Sequence, residues 1–294
     1  MAEDRLPPVL RRLWGHEPVP RRGPRPRLDL ATITAAAIEI ADAEGLAGVS
    51  MNSVAGRVGV AATALYRYIG SKDDLLVLMA DAVAPDPPDP SGHSWRDYLA
   101  LWTRIQRDIV LRHTWVLPIA NFAPPLGPRR LLWLDRAFAA LDGTGLGDGE
   151  KINVASTLAG YALTDAAIVH TAGTGIQEYA GSGIDSAADY GELLAEVLDP
   201  GTYPALSAAV RAGVFRGAES WVDDADFRFG LDLLLDGVEQ LIARRTSDGH
   251  AADERTSDGH AADERTSDRR AADERTSDRR AADERTSGGH VAGE

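Results

Sequence analysis

Ser50-Met51-Asn52-Ser53-Val54-Ala55-Gly56-Arg57-Val58-Gly59-Val60, followed by Ala61-Ala62-Thr63-Ala64-Leu65-Tyr66-Arg67-Tyr68-Ile69-Gly70-Ser71-Lys72-Asp73-Asp74-Leu75, is the stretch that decides the fold. Ser50 is a good N-cap, because its short side chain accepts from the orphan N–H groups of a helix's first turn. The helix it opens runs to about Arg57 and buries Met51, Val54 and Ala55. Gly59 permits the sharp turn that joins two crossed helices. A third helix over about Ala61 to Ile69 then buries Leu65 and Ile69. Gly70 interrupts it. Ser71 caps a fourth helix, whose first turn carries Asp73 and Asp74, where the helix dipole favours acids. Its inner face is Leu75, Leu76, Met79 and Val83.

Upstream, Asp29 caps a longer helix with Ile33, Ala37, Ile40 and Ala41 on one face, the rhythm of a single buried stripe. Gly45 ends it, and Leu46 and Val49 continue into the core. Residues 29–84 thus form a compact helical block. Short helix, glycine turn and short helix is the geometry that lays the second helix of the pair in a major groove. That helix exposes Thr63, Tyr66, Arg67 and Tyr68, and small Ala61 and Ala62 at its entry let backbone approach DNA. Tyrosine hydroxyls and Lys72 reach phosphates; Arg67 reaches a phosphate or a guanine edge. Helical spacing alone fits a plain helical bundle with exposed tyrosines equally well.

The run Glu44-Gly45-Leu46-Ala47-Gly48-Val49-Ser50-Met51, together with Val54-Ala55, Val58-Gly59-Val60 and Ala64 to Leu75, resembles the TetR-type DNA-binding domain over about 55 residues. The resemblance implies that Tyr66 and Lys72 bind phosphate and that Ala61, Ala62, Thr63 and Arg67 face the bases. Ala61 and Ala62 stand where polar base-readers often do, and alanine offers only apolar contact, for example with a thymine methyl. Thr63 and Arg67 then carry more of the readout.

The rest of the chain sorts by composition. Residues 1–28 are a flexible arm rich in arginine and proline, too broken by Pro7, Pro8, Pro18, Pro20, Pro24 and Pro26 for a long helix. Its Arg21, Arg22, Arg25 and Arg27 suit a minor-groove or phosphate arm, or equally a solubilising tail. The proline run at 85–90 separates the head from a second helical region over 94–244. From Arg245 the decamer Arg-Thr-Ser-Asp-Gly-His-Ala-Ala-Asp-Glu recurs to Glu294; it has almost nothing to bury and reads as disordered. The net charge of −14 disfavours nucleic acid at face value, but seven arginines fall in the first thirty residues and the acid excess lies further on. There is no cysteine, so disulfides, thiolate metal sites and a cysteine nucleophile are excluded. Nothing reads as a signal peptide, and no uninterrupted run of about 18 apolar residues marks a membrane span. The cytoplasm is the expected compartment, with no membrane partner.

Strand-like alternation is missing, so the fold class is all-α: a three-helix helix-turn-helix head and a helical body. Ser94-Trp95-Arg96-Asp97 opens a body helix with a capping box. Further helices are expected over about 128–141, 148–172, 203–213 and 224–244. The last carries a wide apolar stripe including Phe227, Leu231, Leu234, Leu235 and Val238, and Gly230 and Gly237 permit close approach of another helix. With the small residues Ala155, Ala159, Gly160, Ala162, Ala166 and Ala167, it suits a four-helix homodimer interface. The pattern at 227–239 also resembles the final helix of tetracycline-repressor-like bodies, which implies a small-molecule pocket. Trp102, Gln106, Trp115, Asn121, Trp133, Tyr161, Thr164 and His170 mix aromatic and polar groups as such a pocket needs, although each taken alone is more often core. The magnesium-holding histidines of tetracycline repressors have no counterpart, so neither metal nor cofactor is expected. Enzyme signatures are thin: the glycines at 143–149 follow no strand, and His170 near Asp165 is a weak pair. The reading is a ligand-responsive repressor released from palindromic double-stranded operator DNA. An enzyme with a helical binding site, or an activator with the same head, is the rival.

Overall fold

The computed structural model describes residues 6–16, 28–120, 126–175, 187–215 and 224–247. All regular structure among them is helical. Residues 1–238 form one compact unit and 239–294 a second, of which the described part is helical residues 239–247. Head and body, read from the sequence as separate blocks, lie within that first unit.

The head is built from α1 (Pro8–Leu13), α2 (Leu30–Gly48), α3 (Met51–Val58), α4 (Ala62–Leu65) and α5 (Lys72–Ala82). Helix α1 corrects the reading of 1–28 as flexible throughout. Pro8 sits in its first turn, where proline's missing N–H costs nothing, and Val9 and Leu10 are buried in the head core. Asp29 caps α2 by accepting from the Thr32 N–H at 2.7 Å. Gly45, expected to end α2, instead kinks it at φ +70°, and the helical course resumes to Gly48. Ile33, Ala37, Val54, Leu65, Leu75 and Met79 close the core with at most 2% of their surface exposed.

The body contains α6 (Trp95–Arg112), a 3₁₀ turn (Thr114–Val116), α7 (Leu117–Ala120), α8 (Pro128–Ala140), α9 (Asp148–Gly175), α10 (Ala187–Val197), α11 (Pro204–Ala212) and α12, helical residues 224–247. Ser94 caps α6 as expected, accepting from the Asp97 N–H at 3.0 Å. Helix α10 lies in a stretch where no helix was expected. Helix α6 packs on α8 and α9, and α5 packs on α8. The stretch Asp148–Thr171 is long and apolar enough by composition to cross a membrane, a feature hidden from a search for uninterrupted apolar runs. It is a bundle helix: its Asp165 accepts from Arg107 Nε of α6 at 2.5 Å, and Arg107 also donates to Asp224 at 3.0 Å. The Arg107 guanidinium lies 4.4 Å from the centre of the Phe227 ring, so one cation ties α6, α9 and α12 together.

Candidate DNA-binding head and ligand cavity

Ser50 and Ser53 cap α3 reciprocally: the Ser53 N–H donates to Ser50 Oγ at 3.0 Å and the Ser50 N–H to Ser53 Oγ at 2.9 Å. Gly59 ends α3 in the left-handed conformation, φ +72°, which an L side chain adopts only with strain. The next helix is shorter than the nine residues expected. Only Ala62–Leu65 is α-helical; Tyr66 to Tyr68 follow as a turn, with the Tyr68 N–H donating to the Leu65 carbonyl at 2.8 Å. Burying Ile69 immediately before Gly70 tightens the last turn to three-residue spacing.

Ser50, Ala61, Thr63, Tyr66, Arg67 and Lys72 are exposed, with Tyr66 at 54%. Ala62 is half-buried against the head core. Tyr68, read as exposed, is also half-buried there, because its carbonyl is held by Arg12 of α1 and its ring packs inward. The Lys72 ammonium donates to the Leu46 carbonyl at 3.3 Å, which places its charge beside the end of α2. Arg57 is committed to Glu39 at 3.1 Å. Arg21, Arg22, Arg25 and Arg27 lie outside the described residues.

Three links fasten the head to the body. Asp42 of α2 pairs with His113 Nδ1 at 2.7 Å and accepts from Trp115 Nε1 at 2.6 Å. Asp81 of α5 is buried and accepts from the Arg130 N–H at 3.1 Å and the Arg129 N–H at 3.4 Å, so a head helix caps a body helix. Arg129 Nη1 donates to the Ala84 carbonyl at 2.9 Å.

Between α5, α6, α8 and α9 lies a cavity of about 460 Å³. Of the eight candidate ligand residues, Trp102, Gln106 and Trp133 line it. The others do not, for separate reasons. Trp115 belongs to the head core. Tyr161 stacks on Phe227 at 5.4 Å and donates to its carbonyl at 2.9 Å, on the face of α9 turned towards α12; burial pushes the Tyr161 phenol up. Thr164 is exposed and off the face that Ile152, Ser156, Ala159 and Leu163 turn to the cavity, and His170 is half-buried two turns beyond Leu163, past the lining residues. Asn121 lies outside the described residues. Arg130, Ser156, Ala80 of α5 and Val83 and Ala84 just beyond its end line the cavity and were missed. The small residues of α9 were assigned to a subunit interface; Ala155, Ala159, Gly160 and Ala162 line the cavity.

The two indole N–H groups in the wall are already engaged: Trp102 donates to the Trp133 carbonyl and Trp133 to the Pro85 carbonyl, both at 2.8 Å. Gln106 Nε2 is buried and has no hydrogen-bond partner among the described residues.

Comparison with known proteins bears on the whole arrangement. Residues 33–79 match the domain of bacterial regulatory proteins of the tetR family, and residues 86–242 match the tetracyclin repressor-like C-terminal domain. The chain belongs to the TetR family. It is a ligand-responsive, DNA-binding transcriptional regulator, and its partners are double-stranded operator DNA, a small-molecule effector and a second copy of itself. The HTH-type transcriptional repressor DrrR1 of Streptomyces coeruleorubidus is 32% identical over 250 residues, which span 82% of this chain and 88% of DrrR1. A possible TetR family transcriptional regulator from Streptomyces coelicolor superposes with a TM-score of 0.56 at 29% identity, over 72% of this chain and all of that one. Apo ActR from the same species shares the fold, with a TM-score of 0.59 at 23% identity over 76% of this chain and 99% of ActR. Regulators of the family are typically non-enzymatic.

Proposed function

We propose that this regulator represses by holding two heads on a palindromic operator and is released when a small molecule fills the cavity between α5, α6, α8 and α9. One observation carries the reading. Ala80 of α5, with Val83 and Ala84 just beyond its end, forms part of the cavity wall, while Leu75 and Met79 of the same helix are buried in the head core. An occupant therefore touches the helix that positions the head. It acts only if it binds one head arrangement better than the other. On DNA, Tyr66, Lys72 and Ser50 meet phosphates, and Thr63 and Arg67 read base edges beside Ala61 and Ala62. The dimer forms through α9 and α12. The chain carries out no chemistry of its own: Asp165, the carboxylate nearest a candidate histidine in sequence, is committed to Arg107. It works in the cytoplasm.

The test is selection of bound duplexes from a random pool by the full chain, followed by gel shift with a compound library. An inverted repeat as consensus and its release by a compound that leaves the chain dimeric support the reading. A non-palindromic consensus, or turnover of the releasing compound, overturns it.

A further inference from the structure

The polar chemistry of the cavity wall is one-sided. Gln106 offers a buried N–H group that no described residue accepts. Arg130 lines the same cavity, and no side-chain acceptor lies within ion-pairing distance of its guanidinium among the described residues. Asp81, the nearest acid, is spent on the backbone N–H groups of Arg129 and Arg130. No carboxylate belongs to the described lining, and the two indole donors are used internally. Apart from the Ser156 hydroxyl, the remaining side chains of the wall are apolar or aromatic, with the tilted Trp102–Trp133 pair at 6.2 Å.

We propose, building on the reading of this cavity as the effector site, that the effector is a flat, largely apolar molecule carrying a carboxylate or phenolate, with Arg130 binding the anionic oxygen and Gln106 donating to a second oxygen. A buried donor left unsatisfied is costly, and a ligand acceptor removes that cost. A guanidinium is also a good match for a carboxylate, because its planar fork holds both oxygens. Burial pulls the Arg130 guanidinium below its ordinary value, and the charge of nearby Asp81 offsets only part of that penalty. A cationic amine of the same shape meets a like charge and no acid.

The probes are anthraquinone-2-carboxylate, its neutral carboxamide and 2-(aminomethyl)anthraquinone, titrated against the full chain by tryptophan fluorescence quenching. The carboxylate binds at least about tenfold more tightly than the carboxamide, and the amine binds weakest. Arg130→Gln abolishes the preference for carboxylate over carboxamide, and Arg130→Lys keeps most of it. Gln106→Leu weakens both probes about equally. Circular dichroism and melting temperature confirm that each variant folds, and the Arg130→Lys comparison holds even if Arg130→Gln is destabilised. If the carboxamide and amine bind as tightly as the carboxylate, the charge assignment fails while the cavity reading stands. If none of the three binds at millimolar concentration, both fall.

Discussion

At the scale of single residues, the DNA contacts divide by what each group can sense. Lys72 and Tyr66 present a charge and a hydroxyl to a backbone that is the same in every sequence. Lys72→Ala and Tyr66→Phe therefore weaken operator and scrambled duplex alike, and the loss of the lysine lowers the salt slope of binding by about 1. Arg67→Ala instead changes the order in which duplexes are preferred. Gel shifts over a salt series read both effects, and an unchanged Lys72 variant would count heavily against this docking. Asp29 gives a stability prediction of similar sharpness. The Thr32 N–H bonded to it holds its carboxyl below the ordinary 3.8. Its capping contribution is therefore complete above that value and disappears as pH falls through the lowered one. Asp29→Ala should cost about 1 kcal/mol at neutral pH and little in acid, by urea melts. These residues were legible because caps and exposed motif positions are local properties of sequence. Arg130 was not: beside Arg129 it reads as surface charge, and only the phase of α8 turns it to the cavity.

At the scale of elements, local signals located most helices and failed where tertiary contact decides. Helix α6 begins at its Ser94 cap and α8 at Gly127-Pro128. Helix α1 is held by burial of Val9 and Leu10 against a core that lies elsewhere in the chain, so its prolines were misread as disorder. The small residues of α9 showed that something approaches closely, but not whether it is a helix or a ligand. Gly230 is the case where another helix is the answer: a Cβ there would stand 2.2 Å from Tyr161 Oη. The joint between α5 and α8 is as tight. A Cβ on Gly127 would lie 2.1 Å from Asp81 Oδ1, the carboxylate that caps α8. Gly127→Ala should destabilise the fold by roughly 1–3 kcal/mol through displacement of Asp81, and should alter effector response more than DNA contact chemistry. A melting temperature equal to that of the parent chain would show that the joint yields freely.

At the scale of the whole molecule, residues 248–294 repeat a decamer with little to bury. A chain ended after Ser247 should keep its helicity, mass and operator affinity, and loss of any of these by circular dichroism, light scattering or gel shift would assign the repeat a structural role. The dimer is the larger question, and the structure changes which residues test it. Val238, which the sequence offered as an interface position, is buried within its own subunit at 9% exposure. Phe229 and Leu233, four residues apart on α12, are instead 74% and 64% exposed, and Ile168 on α9 is 55% exposed. Large apolar groups grouped on the surface mark an association site, and a helix presenting Phe229 and Leu233 on one face suits the two-fold contact of a homodimer. Leu233→Asp should therefore separate the subunits while sparing the fold, since its side chain leaves no cavity in the monomer. Light-scattering mass should halve at micromolar concentration with an unchanged circular dichroism spectrum. Affinity for a palindrome should fall far more than affinity for a single half-site. A Leu233→Asp protein that remains dimeric and binds the palindrome as before would place the interface elsewhere than on this face of α12.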